Sequence, residues 1–120
     1  MSAPGVRILR TMQHSEFKEW EENMGVIRET FEDGVFTIIL NRPDKKNAMN
    51  TELLIELYKS LKKADDENAQ VIIIRGSGKA FCAGGDLVEF QESEDRSSSI
   101  DVMADALHKS IVLIRKTGAI

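Results

Sequence analysis

The residues best placed to do chemistry cluster in one stretch, Lys79-Ala80-Phe81-Cys82-Ala83-Gly84-Gly85-Asp86-Leu87. Two adjacent glycines and an acid stand directly ahead of Leu87-Val88-Glu89-Phe90, which reads as a helix start. Backbone N–H groups at such a turn point outward, and no Cβ keeps a ligand away. The turn therefore suits an oxyanion or another anionic group. Taken alone, Gly84 and Gly85 would equally serve a tight turn before a helix. Cys82 has no partner histidine suggested by the sequence and reads as a small residue packed behind the turn. His14 and His108 lie far apart, with no companion acid or ligand at meaningful spacing, so no metal site is expected. Glu89, Glu92 and Glu94 read as an exposed face.

Several elements must hold this turn. Ahead of it, Val71-Ile72-Ile73-Ile74 is an unbroken β-branched run, the pattern of a strand buried on both faces. Arg75-Gly76-Ser77-Gly78 then forms a flexible turn. Further upstream, alternation over Val26 to Phe31 and the apolar run Val35 to Leu40 flank Asp33-Gly34, a strong hairpin signal, with the second strand the more buried. Pro43 ends the sheet and restricts Arg42 to extended geometry. Arg42 and Asn41 are expected to fix the geometry of this loop. From Thr51, Leu53, Leu54, Leu57, Tyr58, Leu61 and Ala64 recur as one helical stripe, with Asn50 as N-cap. Gln91 to Ser99 is polar and serine-rich and is expected to be a mobile loop. A second helix follows with Ile100, Met103, Leu107, Ile111 and Ile114 as its apolar stripe and Lys116-Thr117-Gly118 as its stop. Near the N-terminus, Ser15 reads as the cap of a short helix carrying Phe17 and Trp20 on one side.

A chain of 120 residues, 42% hydrophobic, can bury one core. Its net charge of −4 and the absence of a basic stripe argue against a nucleic-acid partner. The single cysteine excludes an intrachain disulfide and fits a reducing compartment. No apolar run approaches the roughly 20 residues that span a bilayer. Arg7, Arg10 and His14 without an acid among the first fifteen residues faintly echo an organellar transit peptide, but serines are few and Pro4 and Gly5 intervene. A flexible extension over residues 1–25 and a cytoplasmic protein are the preferred expectations, ahead of a mitochondrial matrix one.

The strand followed by Gly78-Lys79-Ala80-Phe81-Cys82-Ala83-Gly84-Gly85-Asp86-Leu87 resembles the first oxyanion-hole segment of the enoyl-CoA hydratase/isomerase (crotonase) superfamily. Leu40-Asn41-Arg42-Pro43 with Asn47-Ala48-Met49-Asn50 resembles the family's other N-terminal signature, at the expected position upstream. Two ordered blocks are more specific than either alone. The resemblance covers roughly Gly25 to Ile120 and implies an α/β chain: the N-terminal portion, residues 26–120, of a crotonase-like ββα superhelix.

It further implies an acyl-coenzyme A thioester as substrate, no separate cofactor, and an enolate oxygen held by two backbone N–H groups, the first that of Gly85. Backbone groups of Ala83, Gly84, Asp86 and Leu87 would line the coenzyme A site, Ala48 would edge the pantetheine channel, and Lys46, or its neighbour Lys45, would face the phosphates. Asp86 also suits a helix start. The family's second oxyanion donor and its acid/base glutamates match nothing up to Ile120, so this portion alone is not expected to complete the acid/base step. A complementary C-terminal polypeptide is the expected partner, and trimers or hexamers the expected assembly. The alternative is a non-catalytic crotonase-like binding or scaffold subunit.

Overall fold

The structure, a computed structural model, describes residues 25–120. The expected helix at Ser15 and nearly all of the N-terminal extension lie outside the described residues. The elements run β1 (Ile27–Glu32), β2 (Val35–Leu40), α1 (Thr51–Asp66), β3 (Val71–Gly76), α2 (Leu87–Glu92) and α3 (Arg96–Lys116), with one 3-10 turn at Pro43–Lys45.

The expected hairpin forms. β1 and β2 pair antiparallel, and the Glu32↔Val35 register leaves Asp33 and Gly34 as a two-residue loop with φ of 53° and 81°. Positive φ at both positions gives the turn whose twist matches that of the strands it joins. β2 is the central strand and, as expected, the more buried: Phe36, Ile38, Ile39 and Leu40 are all buried. β3 pairs with β2 in parallel, from Val35↔Val71 to Leu40↔Gly76. Parallel neighbours need a long crossover, and α1 supplies it.

α1 starts where the Asn50 side chain accepts from the Leu53 N–H at 2.8 Å. Its Leu53, Leu57, Leu61 and Ala64 pack with Ile27, Phe36, Ile38, Leu40 and Ala69 into one core. Glu29 lies on the core face of β1. Its carboxylate accepts from Ser60 Oγ at 2.6 Å and from Lys63 Nζ at 3.0 Å, which compensates for burying it.

Three expectations need correction. β3 is not buried on both faces, and Ile73 is 43% exposed. β3 is the edge of the three-stranded sheet; on its free side, among the described residues, Ile120 makes the backbone pairing, donating to Gln70 O and accepting from Ile72 N–H, both at 2.9 Å. The serine-rich segment is not a long loop. α2 runs to Glu92, and α3 begins at Arg96 because Asp95 Oδ1 accepts from the Ser98 N–H at 3.0 Å. Serines in a capped first turn compete little with the helix. The stripe of α3 is also rotated from the expected one. Ile100, Ile111 and Ile114 are exposed, whereas Ser110 is buried and Leu113 packs on the core as α3 lies along α1.

Candidate functional site

The two sequence blocks meet in space. Asn47, fully buried and at φ 57°, joins them. Its Oδ1 accepts from the Arg42 N–H at 2.7 Å, and its Nδ2 donates to the carbonyls of Ser77 at 2.9 Å and Ala80 at 2.8 Å. A short parallel bridge forms beside it: the Ala83 N–H donates to Lys46 O, the Met49 N–H to Gly84 O, and the Asp86 N–H to Met49 O. Arg42 adds a third tie, donating from Nη1 to Ala48 O at 2.6 Å and pairing with Asp86 Oδ2 at 2.9 Å. Arg42 and Asn41 therefore act as expected. Asn41 links Gly25 O and Ser77 Oγ.

This bridge sets the direction of Gly85. In a parallel pair the bonds to Met49 come from the residues on either side of Gly85, so its own N–H and C=O face away from the partner segment. Gly85 is exposed, and its N–H has no acceptor among the described residues. A Cβ at Gly85 would meet nothing within 4 Å. Gly84 has φ 100°, a backbone shape that a side chain would strain, so the two glycines serve different ends.

Next to Gly85 opens an apolar cavity of about 410 Å³ between α2 and α3. Met49 and Leu54 line it together with Leu87 and Phe90 of α2 and Met103 and Leu107 of α3. Asp86 also borders a polar cleft of about 440 Å³, lined by Arg42, Lys45, Asn50, Glu89 and Glu92 among others. An apolar chamber, a free backbone donor at its rim and a polar cleft beside it can together hold an amphipathic ligand with a developing negative oxygen.

Asp86 is built into this frame. Its carboxylate caps α2, accepting from the Val88 N–H at 2.9 Å and the Glu89 N–H at 3.2 Å. Burial pushes the carboxyl up, but the Glu89 N–H, the Arg42 guanidinium and the Val88 N–H outweigh it and hold the group below its ordinary value. The stability this supplies is full above the unfolded value of about 3.9 and is lost as pH falls through the lower folded value. Urea midpoints measured from pH 7 down to pH 2 should therefore fall more steeply below about pH 4 in the unaltered chain than in Asp86→Asn. Parallel curves would rule the contribution out.

Ala83 and Gly84 lie in the loop ahead of α2, Asp86 is its N-cap and Leu87 its first residue. The N–H groups of Ala83 and Asp86 are already engaged with Lys46 O and Met49 O, while Leu87 is 71% exposed at the cavity. Lys45 and Lys46 are both exposed, and Ala48 is half-buried with its carbonyl on Arg42. Cys82 packs partly buried against the core, and His108 is exposed on α3. His14 lies outside the described residues. Glu89 departs from expectation. It is not on an exposed face: its Oε1 accepts from Thr51 N–H at 2.7 Å and Thr51 Oγ1 at 2.6 Å, joining α2 to the start of α1. Sequence reasoning also gave Asn47 no role beyond membership of its motif. Among the described residues no three His, Cys, Asp or Glu side chains gather as a metal site, and no helix is long and apolar enough to cross a membrane.

Residues 30–116 match the family model described as enoyl-CoA hydratase/isomerase, and the chain belongs to that family. A probable enoyl-CoA hydratase of Mycobacterium bovis is 47% identical over 55 residues, covering 46% of this chain and 23% of the relative. The enoyl-CoA delta isomerase 2 of Homo sapiens is 40% identical over 63 residues, covering 52% of this chain and 16% of that protein. The crystal structure of a Mycobacterium smegmatis enoyl-CoA hydratase superposes with a TM-score of 0.71 at 27% identity, over 78% of this chain and 37% of that one. The fold is thus crotonase-like and corresponds to the N-terminal part. The chain spans about a quarter or less of the length of these two curated relatives.

Proposed function

We propose that this chain forms the acyl-thioester-binding portion of an enoyl-CoA hydratase/isomerase. The observation that carries the reading is the Gly85 N–H, outward-facing and without an acceptor among the described residues, at the rim of the apolar cavity. A thioester oxygen placed there would meet a preorganised donor as it takes on enolate charge, while the acyl chain occupies the cavity. Ala83, Gly84, Asp86 and Leu87 shape the coenzyme end of the same loop, Ala48 edges the channel, and Lys46 or Lys45 faces the phosphates. Both lysines stand exposed beside the bridge, which leaves them accessible to such a ligand.

The reaction is the addition of water to a trans-2-enoyl-CoA, giving the 3-hydroxyacyl-CoA without a resident cofactor, a step suited to fatty acid metabolism. The second oxyanion donor and the acid/base carboxylates come from a complementary C-terminal polypeptide, and the assembly is a trimer or hexamer in the cytoplasm. The human relative is named an isomerase and the mycobacterial one a hydratase, so double-bond migration is the nearest variant of the same enolate chemistry.

Calorimetric titration with crotonyl-CoA tests the binding role. The open space around Gly85 leaves room for a side chain in the free protein, so Gly85→Val should fold normally yet bind at least about tenfold more weakly. Intact mass of the purified material would reveal a second polypeptide, and hydration of crotonyl-CoA by that sample would establish the divided enzyme. A folded single chain that binds no acyl-CoA would instead favour the scaffold subunit.

A further inference from the structure

α2 forms one wall of the apolar cavity, yet little in α2 itself holds it there. It is six residues long and contains no buried residue, and Leu87 and Val88 are 71% and 54% exposed. A helix this short is not stable by itself, so its position depends on anchors to its neighbours. One anchor is Asp86, which caps the first turn and pairs with Arg42. The second is Glu89, one turn further on. Its Oε1 takes both donors that Thr51 offers at the first residue of α1, at 2.7 Å and 2.6 Å. These are charge-assisted bonds to the positive end of a sixteen-residue helix that is itself fixed in the core, so they tie α2 to the most rigid element nearby.

We infer that Glu89 is a positioning residue: by latching α2 to the start of α1 it sets the distance of Leu87 and Phe90 from Met103 and Leu107, and so fixes how the cavity receives an acyl chain. The inference rests on the acyl-thioester reading for the cavity's occupant but not for the latch itself. Glu89 touches no reacting atom in this role. Its neighbour Glu92 lines the polar cleft and has no comparable bond to α1 among the described residues.

The test combines hydrogen exchange with binding. In Glu89→Ala, the hydrogen-bonded amides within residues 86–92 should exchange about tenfold faster while those of β1, β2 and β3 keep their protection. Affinity for octanoyl-CoA should fall about tenfold, and the loss for free coenzyme A, which has no acyl chain, should be clearly smaller. Glu89→Gln keeps an acceptor for Thr51 and should recover most of both losses. Unchanged exchange of these bonded amides in Glu89→Ala would overturn the inference, as would equal losses for octanoyl-CoA and coenzyme A. If the unaltered chain binds no acyl-CoA, the acyl-thioester reading fails, and the exchange experiment still decides whether Glu89 holds α2.

Discussion

Asn47→Ala should lower the stability of the chain by about 3 kcal/mol, because a group left unpaired costs about 1–3 kcal/mol when buried and these are partly buried. Three groups lose their partner at once: the Arg42 N–H and the carbonyls of Ser77 and Ala80. In thermal unfolding this corresponds to a midpoint lower by on the order of 10 °C or more. Asn47→Asp is the informative companion. It keeps an acceptor for Arg42 but turns a carboxylate toward two carbonyl oxygens, so at neutral pH it should be no better tolerated than alanine. A loss below about 1 kcal/mol in both variants would mean that Asn47 does not join the two loops. Because those loops also carry Lys46, Ala48 and Gly85, acyl-CoA affinity should fall with stability in Asn47→Ala.

The elements that the sequence made legible share one property: their signals are local. Asp33-Gly34 demands its own backbone shape, and Asn50 caps a helix whose period is written in the next fourteen residues. The start of α3 was hidden although its signal is also local, because Asp95 sits among serines that read equally well as loop. Its packed face was hidden for a different reason. Ser110, polar but buried, lies where the helix meets α1, while Ile111 and Ile114 remain exposed. For β3, an uninterrupted β-branched run carries no mark of whether another element covers it.

At the site, the motifs announced which loops matter but not how they touch. Asn47 bonds to carbonyls 30 and 33 residues away, and a carbonyl is the same in every residue. Glu89 reaches Thr51 38 residues upstream, and nothing in the spacing of the acids singles it out from Glu92 or Glu94. The cavity draws its lining from Met49, Leu54, α2 and α3, segments that meet only once α3 lies along α1.

Two glycines of the site should respond oppositely to the same small change. A Cβ at Gly76 would lie 2.4 Å from Ala80 O, 2.5 Å from Phe81 O and 2.7 Å from Asn47 Nδ2. Two of these atoms are backbone and cannot swing aside, so the turn after β3 must move as a whole. Overpacking of this kind costs about 1–3 kcal/mol and more where backbone shifts, so Gly76→Ala is expected near or above the top of that range. The displaced Ala80 carbonyl is also one of the acceptors of Asn47, so the losses in Gly76→Ala and Asn47→Ala should not add; a double-mutant cycle should return a coupling of about 1 kcal/mol or more. Gly85→Ala meets no atom within 4 Å and asks for no left-handed backbone, so its stability should stay within about 0.5 kcal/mol of the unaltered chain. Chemical denaturation of Gly76→Ala, Asn47→Ala, their double variant and Gly85→Ala checks these expectations. A tolerated Gly76→Ala would mean that the turn after β3 is not closed on Asn47, and a destabilised Gly85→Ala would mean that Gly85 serves the fold rather than a ligand.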